Sequence, residues 1–513
     1  MSDRRVKWAL LFGLAGAFLA YISRVTQANN DMFHAMALFR EALSTGWIPQ
    51  EDLYAFTPTI SPAVHHEWAT GAVLYLTTVT SGLGATGLMI LKYLVTGAIA
   101  AGCYFCARRR GVSVSLFVVL APLVFPFGWV GFGTVRAQLF TLLFLVCLVL
   151  LLEEDRRGRR WWLAAWLPIY IVWLNMHAGF VAGVGLFGLY TIDSFGRALS
   201  DGKRFRAALY QVRHLLAMGL LMIPCLWINP FGQDYIDYLW QGLRMQRPLI
   251  REWDPLWRTY QPLLTMEVFV ISLFLVGYSV RQRGALRLPG LILVLVTAWL
   301  ALSHIRHGSI YAVVWLCYVP AYVQQTELGR WLCECLNRRR QWLVWTGVFL
   351  GCLGLGTATI NRFWQLNMLT HSEQEPVVYP AGAVDYLATE GFSGNLIVPF
   401  NTGAYVSWKL YPAVKVSFDS RYEAAYPPSA LKDNFDFYGG KAGWREGLTR
   451  HAPDAVLVRR ISPLDNLLET TTKGPPWQRV YCDDSYSVYL SSQIAKQYRV
   501  VDRTGDRIVA NFP

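Results

Sequence analysis

The sequence has few charged residues for its length, which argues against an ordinary water-soluble protein. Only 16% of its 513 residues are Asp, Glu, Lys or Arg, whereas 54% are hydrophobic and the mean hydropathy is +0.29. Soluble globular domains carry about 25% charged residues. The nine cysteines lie mostly in or beside apolar runs, without the spacing typical of zinc ligands or of a disulfide framework. We therefore expect a membrane protein.

The sequence also lacks the motifs that hold nucleotide phosphates. There is no GxxxxGK[ST] loop, and no GxGxxG follows a strand-like run. The net charge of +13 would suit nucleic acid, but the basic clusters are short and separate apolar runs, as membrane topology requires. Nucleic-acid binding and a cytosolic nucleotide-sugar donor are therefore disfavoured.

Apolar runs of membrane-spanning character recur along the first 360 residues. A helix needs about 20 residues to cross roughly 30 Å of hydrocarbon. About eleven runs fit, near residues 8–23, 87–106, 113–131, 137–152, 161–174, 179–195, 214–228, 264–280, 288–303, 308–324 and 341–358. The Arg- and Lys-rich loops fall on the side of the basic N-terminus, which the positive-inside rule assigns to the cytoplasm. The sequence predicts a mainly α, polytopic transmembrane bundle over residues 1–360, with a long first outer loop at 24–86.

The composition changes after about residue 360 to that of a soluble domain. Strand-length apolar runs at 395–400, 414–418 and 454–458 alternate with helix-like stretches at 381–390 and 441–450, and a hairpin turn is expected at 483–485. Such alternation predicts a small α/β domain with a partly parallel sheet at residues 375–513. An odd number of spans would make this domain periplasmic in a bacterial inner membrane, and the absence of an Asn-x-Ser/Thr sequon there favours a bacterial envelope.

Polar and ionisable residues concentrate in the predicted outer loops. Ionisable groups at a membrane boundary are costly unless hydrated or paired, so their presence in six or seven loops of one face predicts a shared site at the membrane surface. The alternative is that loops beside water are polar in any case and that Arg and His anchor at lipid headgroups. The residues are Asp31, His34, His65, His66, Glu67, Arg136, Gln138, Asn175, His177, Asn229, Arg251, Glu252, Asp254, His304, Arg306 and His307.

The first outer loop offers a candidate general base. If NNDMFHAMALFREAL is helical, Asn30 is a candidate N-cap, and Asp31 and His34 share one face at i and i+3. A carboxylate beside an imidazole suits the removal of a proton from an attacking hydroxyl. The alternative role for Asp31 is a negative charge that complements the helix dipole.

A second acidic group and several cations follow along the chain. His66 and Glu67 precede a second helix, and they signal a divalent cation only weakly, because adjacent histidines on a helix diverge by about 100°. Lys92 lies near the outer end of an apolar run, where a lone cation needs an anion or water. Arg136 and Arg306 at other outer span ends suit bidentate phosphate contacts. Snorkelling to the outer headgroups is the alternative for Lys92.

Several short motifs give the sequence a family resemblance. It resembles uncharacterised bacterial members of the GT-C superfamily, polytopic glycosyltransferases similar to protein O-mannosyltransferases and aminoarabinose transferases. The motifs are DMFH, HHEWA, TVRAQLFTLL, WLNMHAGFVAG, INPFG and REWDP in the membrane part, with NTGAYVSWKLYP and VSFDSRYEAAYP in the tail. The likeness covers most of the chain, although its motifs are short and mostly apolar.

The resemblance implies a polyprenyl-phosphate-linked sugar as donor and an essential acidic residue in the first outer loop, which Asp31 matches. The family's second acidic position is matched less well, by Glu67 or Glu252, and its donor-phosphate contact by Lys92. We expect transfer of the sugar to a hydroxyl of a lipid, glycan or protein acceptor on the periplasmic face. His66 and Glu67 would assist Asp31, and Lys92, Arg136 and Arg306 would hold the phosphate. The predicted acceptor-side residues are His34, Asn175, His177, Asn229, Glu252 and His304.

Two other functions stay open at this stage. A transporter or flippase for a lipid-linked glycan would also need polar groups in a multi-span protein, but such proteins tend to show broken helices and paired charges near the midplane. A non-catalytic scaffold with a GT-C-like fold would also fit, because Asp31 has a structural alternative. A divalent cation is not required by any motif.

Overall fold

The computed structural model describes residues 3–245, 247, 250–259, 261–372, 377–470 and 477–513. The described chain is mainly helical, with one small sheet near its C-terminus. The predicted fold class, a helical membrane bundle with a small C-terminal α/β region, is confirmed.

The helices in the first half of the chain run as follows: α1 Asp3–Ile22, α2 Asn30–Thr45, α3 Trp68–Tyr75, α4 Gly84–Arg109, α5 Val114–Leu120, α6 Trp129–Phe132, α7 Ala137–Arg156, α8 Trp162–Met176, α9 Phe180–Ser200, α10 Phe205–Cys225 and α11 Gln233–Arg244. Those in the second half are α12 Pro262–Arg283, α13 Leu291–Ser303, α14 Gly308–Gln324, α15 Glu327–Arg338, α16 Arg340–Ile360, α17 Ala381–Thr389, α18 Gly403–Leu410, α19 Ala430–Tyr438, α20 Trp444–Gly447, α21 Pro463–Thr470 and α22 Ser492–Ala495.

All eleven predicted apolar runs coincide with helical segments. Among the described residues, seven helical segments are long and apolar enough to cross a membrane, and two shorter apolar helices, α8 and α13, accompany them. The chain is therefore an integral membrane protein. The figure of about eleven spans stays a prediction, as does the orientation of the spans.

The first and last of these seven helices pack closely through glycine. A Cβ atom on Gly13 would lie 2.8 Å from the carbonyl oxygen of Gly347, and one on Gly16 would lie 2.7 Å from that of Gly351. Only glycine permits this approach of two backbones, which is the usual basis of tight helix pairing in membranes. The contact joins α1 to α16, although some 320 residues separate them in sequence.

The C-terminal sheet has six strands in the order β2-β1-β3-β5-β4-β6. Its strands are β1 Gly394–Ile397, β2 Val414–Val416, β3 Ala455–Arg459, β4 Trp477–Cys482, β5 Tyr486–Ser491 and β6 Val501–Asp502. Strand β1 pairs in parallel with both β2 and β3, whereas β5 is antiparallel to β3 and β4. The three predicted strands, the hairpin turn after Cys482 and the partly parallel arrangement are confirmed.

The chain divides into two compact units whose boundaries differ from the sequence-based division near residue 360. The helical unit comprises Met1–Thr26, Met89–Asn229 and Arg244–Gln365, and the sheet unit comprises Gln27–Leu88, Pro230–Leu243 and Leu366–Pro513. Most of the first outer loop therefore groups with the C-terminal residues. The physical reason is direct pairing: Ala55 forms a parallel bridge with Val416, and Arg40 donates a hydrogen bond to the Trp408 carbonyl at 2.9 Å.

Candidate functional site

Asp31 lies in the first turn of α2, in the sheet unit. The residue that caps this helix is Asn29, not Asn30 as expected, because the Asn29 side chain accepts the Asp31 N–H at 2.8 Å. Asn30 is buried and donates to the carbonyl oxygen of Asn401. Burial and the Asp31 charge together raise the pKa of Tyr379, so this phenol stays protonated near Asp31. The Asp31 carboxylate is partly exposed.

Two histidines of the same unit are held in their neutral forms. Burial lowers the pKa of His34 to about 4, although the Asp419 carboxylate opposes the shift. Burial and the Arg421 charge lower the pKa of His65 well below its ordinary value. Among the described residues, neither ring nitrogen of the buried His65 has a hydrogen-bond partner. At pH 7 these side chains therefore add polarity but no charge.

A buried ion triad closes this region of the sheet unit. The Arg421 guanidinium contacts Asp52 of the long first loop on one side and Asp419 at 2.6 Å on the other. All three side chains are essentially inaccessible to solvent. Burial would favour the protonated Asp419, but the Arg421 charge outweighs it and lowers the pKa of that carboxyl. The triad fixes residues near 52 against residues near 420.

His66 and Glu67 lie together immediately before α3. His66 Nε2 is 3.3 Å from Glu67 Oε1, and the His66 ring stacks on Tyr238 with centroids 5.0 Å apart. Glu67 occupies the N-cap position of α3, but it makes no side-chain capping bond there. An imidazole and a carboxylate in contact can share a proton or offer two ligand atoms to a cation.

Lys92 lies in α4, in the helical unit, and is almost completely buried. Its Nζ donates to the Ile22 carbonyl at 3.0 Å and to the Val25 carbonyl, directly after α1. These bonds give Lys92 a structural role in closing the end of α1. Its contact with a donor phosphate stays a prediction.

Arg136 and Glu252 form an ion pair. From the sequence, Arg136 was predicted to hold the donor phosphate and Glu252 to lie on the acceptor side. Arg136 Nη2 is 2.8 Å from Glu252 Oε1 and 2.8 Å from Gln138 Oε1. Gln138 in turn donates to the Arg306 carbonyl at 2.9 Å. Residues from three separate parts of the helical unit are thus brought to one place.

The Trp253 ring contacts two further arginines and two histidines. The Arg247 and Arg306 guanidiniums lie 4.6 Å and 4.5 Å from the centroid of the Trp253 ring. The His304 and His307 rings approach the same indole at 5.3 Å and 5.9 Å. Burial and the Arg306 charge lower the pKa values of both histidines, that of His307 to about 4. Cations stacked on an aromatic ring are oriented without losing their charge.

We call the set Arg136, Arg247, Glu252, Trp253, His304, Arg306 and His307 the arginine cluster. It holds three guanidiniums and one carboxylate, which leaves a positive balance when both histidines are neutral. Such a balance, together with the planar forks of Arg, is suited to phosphate.

His177, also in the helical unit, is held by a defined network. Its Nδ1 is 2.7 Å from Thr141 Oγ1 and accepts the Gly179 N–H at 3.2 Å. The Trp173 indole N–H donates to the same Thr141 oxygen at 3.1 Å, so the Thr141 hydroxyl proton points to His177. A neutral His177 therefore carries its proton on Nε2.

Asn175 and Asn229 donate hydrogen bonds to backbone carbonyls near the ends of two helices. The Asn175 amide donates to the carbonyls of Ile171 and Ile228, both at 2.9 Å, and Asn229 donates to Leu226 just after α10. These contacts order the backbone after α8 and α10. Their predicted contacts with an acceptor stay predictions.

Sequence reasoning missed Asp52, Arg421 and Asp419 of the triad, and Arg247 and Trp253 of the arginine cluster. Asp419 and Arg421 lie in the motif VSFDSRYEAAYP and Trp253 lies in REWDP, whereas Asp52 and Arg247 lie outside both motifs. Nothing local to these motifs, however, indicates which distant residues they meet.

Comparisons with known proteins identify the fold but no close relative. No family model matches the sequence, and neither does any curated protein. Among solved structures, the chain resembles ArnT from Cupriavidus metallidurans bound to undecaprenyl phosphate, with a TM-score of 0.50 and 14% identity over 94% of this chain and 97% of that one. It also resembles the arabinofuranosyltransferase AftD from Mycobacteria, with a TM-score of 0.49 and 14% identity over 96% of this chain and 42% of that one.

The likeness to ArnT extends over nearly the whole of both chains, so it concerns the complete architecture. The protein therefore shares the fold of ArnT. The resemblance noted in the sequence is confirmed at the level of the fold.

Proposed function

We propose that this protein is a membrane glycosyltransferase that moves a sugar from a polyprenyl-phosphate-linked donor to an acceptor hydroxyl on the periplasmic side of a bacterial inner membrane. The observation that carries the proposal is the GT-C-like fold shared over 94% of the chain with ArnT bound to undecaprenyl phosphate. Fold alone does not fix function, so the residues must supply the chemistry.

In the proposed reaction the acceptor oxygen forms a bond to the anomeric carbon of the sugar. The bond from that carbon to the lipid phosphate breaks, and the electron pair leaves with the phosphate. The acceptor proton passes to the Asp31 carboxylate, which His66 and Glu67 assist. A partly exposed carboxylate suits this task because it is open to a hydroxyl that approaches from water.

The leaving phosphate gains negative charge as the bond breaks, and preorganised cations lower the energy of that state. Arg136 and Arg306 of the arginine cluster are proposed for this role. The positive balance of the cluster and the stacking of Arg306 on Trp253 support the assignment. Lys92, whose ammonium donates to two backbone carbonyls, also stays a proposed contact of the donor phosphate. His34, Asn175, His177, Asn229, Glu252 and His304 remain proposed acceptor-side residues.

The test is sugar transfer by the purified full-length protein in lipid, with radiolabelled polyprenyl-phosphate sugars and a bacterial membrane extract as acceptor. Asp31→Asn should lower turnover by about 10²–10⁴-fold, the usual contribution of a general base. Glu51→Gln, an exposed carboxylate of the same loop, is the matched control and should leave turnover unchanged. Undiminished transfer by Asp31→Asn would remove this residue from the mechanism. No transfer by the wild type from a broad donor panel would instead favour a flippase or a scaffold.

A further inference from the structure

The sheet unit contains a cavity that the proposed transfer step does not use. It has a volume of about 400 Å³ and lies beside strands β1 and β2. Its walls come from residues 56–58 of the long first loop, from Ile397, Ser417 and Phe418 at the ends of the strands, and from the segment 427–451 with α19 and α20. This volume falls within the range of about 300–1,000 Å³ typical of small-molecule sites. We call it the sheet-edge cavity.

Hydrogen bonds fix the walls of the sheet-edge cavity. The Phe56 N–H donates to the Val416 carbonyl at 3.1 Å, and the Thr57 hydroxyl donates to the Ser417 carbonyl at 2.6 Å. Asn434 donates to the Val398 carbonyl at 3.0 Å and accepts the Phe400 N–H at 3.1 Å. Three segments distant in sequence are therefore locked around one space, so a ligand would meet a formed site.

The lining combines aromatic rings with acidic groups. Phe56, Phe437 and Trp444 supply the apolar part, whereas Asp433, Asp436 and Glu446 supply carboxylates. Such a mixture, mostly apolar with a few polar groups that fix orientation, is characteristic of ligand sites.

The carboxylates differ in what they already bind. Asp436 pairs with Lys432 and Lys441, and Glu446 lies 3.6 Å from Arg450. Within the described part of the chain, the exposed Asp433 carboxylate makes no hydrogen bond or ion pair. It is the group best able to accept hydrogen bonds from a ligand.

We infer that the sheet-edge cavity binds a saccharide unit. A sugar ring has an apolar face of C–H groups that packs on aromatic side chains, and a rim of hydroxyls that donate to carboxylates. Phosphates and other anions are disfavoured because Asp433 would repel them and the Arg450 guanidinium of the lining is paired with Glu446. A lipid chain is disfavoured because polar groups, among them Asp433, Asn434 and Arg450, interrupt the apolar lining. A multivalent cation is disfavoured because Asp436 is already neutralised by two lysines.

This assignment names the class of acceptor in the proposed function, and its role as an acceptor site rests on that function. The first-loop segment 56–58 that lines the cavity follows Asp52, which the Arg421 triad holds. Phe418, another lining residue, directly precedes Asp419 of the same triad. The cavity and the loop that carries Asp31 thus belong to one compact unit. The acceptor is therefore a glycan, one sugar of which the sheet-edge cavity holds.

The experiment is saturation-transfer NMR on the full-length protein in detergent with free sugars as probes: glucose, galactose, mannose, arabinose, glucosamine, N-acetylglucosamine and their common disaccharides. At least one probe should bind saturably to the wild type. Asp433→Asn should weaken that binding by about tenfold or more, because hydrogen bonds to a charged group are stronger than those between neutral groups. Asp506→Asn, an exposed carboxylate of the same unit outside the cavity, should bind the probe as the wild type does.

Two outcomes overturn the inference: no saturable binding of any probe to the wild type, or equal binding to wild type and Asp433→Asn. Free sugars need no polyprenyl donor, so the result is independent of the transfer assay. Sugar binding that depends on Asp433 in a protein without transfer activity would contradict the proposed function and keep the cavity assignment. Transfer activity without Asp433-dependent sugar binding would contradict the cavity assignment and keep the proposed function.

Discussion

Arg421 and Asp52 lie 369 positions apart in the sequence, yet their side chains form an ion pair that is shielded from solvent. Asp419 completes the triad from the other side. Buried pairs of this kind are weak evidence of net stabilisation, but the removal of one partner leaves a charge without its counter-ion. The pair therefore holds the long first loop to the C-terminal part of the sheet unit.

Replacement of Asp52 should loosen this unit. In Asp52→Asn the Arg421 charge keeps only Asp419, and we expect the unfolding free energy to fall by on the order of 3 kcal/mol. Thermal unfolding of the purified protein in detergent measures the loss, and limited proteolysis should show faster cleavage within residues 27–67. Glu51→Gln, one position away and exposed, is the control. Equal melting of both variants would mean that the loop is held by other contacts.

The arginine cluster should govern donor affinity. Arg136→Gln and Arg306→Gln each remove a cation proposed to face the lipid phosphate, and each should raise KM for the donor by about tenfold, since a charge-assisted hydrogen bond is worth about 1.5–3 kcal/mol. The exposed Arg251 lies nearby in sequence, and Arg251→Gln should leave KM unchanged. Initial rates at varied donor concentration provide the measurement.

Substitution of Glu252 distinguishes a phosphate-binding role of Arg136 from a structural role of Arg136. If Arg136 mainly holds Glu252, then Glu252→Gln should be as harmful as Arg136→Gln, because both break the same ion pair. If Arg136 faces phosphate, then Glu252→Gln removes a repulsive charge and keeps the donor KM equal or lower. A raised KM in Glu252→Gln would argue against phosphate binding by Arg136.

Histidines with lowered pKa values should make the protein sensitive to acid. His34 and His307 have pKa values of about 4, below the ordinary 6.5, so the unfolded chain binds more protons than the folded chain between these values. Stability is therefore fully present above pH 6.5 and is lost as pH falls toward 4, by up to about 1.4 kcal/mol per pH unit for each such histidine.

His65 offers the test of this effect, since burial lowers its pKa as well. His65→Leu should reduce the loss of thermal stability between pH 7 and pH 5, because one buried proton acceptor is gone. It should cost little at pH 7, as His65 makes no hydrogen bond to the described residues. The exposed His371, changed to Leu, should leave the pH profile as it is. Parallel profiles for wild type and His65→Leu would show that His65 is not buried as described.

The His177 network should not tolerate a methyl group at position 179. A Cβ atom on Gly179 would lie 2.5 Å from both His177 Nδ1 and Thr141 Oγ1, so Gly179→Ala must displace the imidazole or its hydroxyl partner. We expect a loss of about 1–3 kcal/mol in stability, the usual cost of overpacking. Gly185→Ala is the control, because Gly185 lies in α9, the helix that Gly179 directly precedes, and has open space around it; this change should be neutral or stabilising. Thermal melting of the two variants in parallel measures the difference in stability.

Much of the fold could be predicted from the sequence because its signals are local. Each apolar run of about 20 residues reports its own helix, and the runs ending near 400, 418 and 458 report their own strands. The Asn30 cap was wrong by one position, since Asn29 and Asn30 are chemically alike and only backbone geometry distinguishes them.

The site was less predictable, because its contacts join distant positions. Arg136 and Glu252 were both singled out, yet no local pattern reveals that they pair across 116 positions. Lys92 illustrates the same limit: a lone lysine in an apolar run indicates a need for anions or carbonyls, and backbone carbonyls at Ile22 and Val25 meet that need. The sequence showed which loops carry polar residues, but not which of these residues contact one another.

The glycine contact between α1 and α16 has a consequence for biosynthesis. Chains enter the membrane from the N-terminus during synthesis, so α1 is inserted long before Gly347 and Gly351 exist. Its glycine face lacks its packing partner in the bilayer until the last of the seven candidate spans has been made. A ribosome that stalls before residue 340 would leave a chain whose first helix displays an unfilled small-residue surface, a signal by which membrane quality control could distinguish unfinished molecules from finished ones.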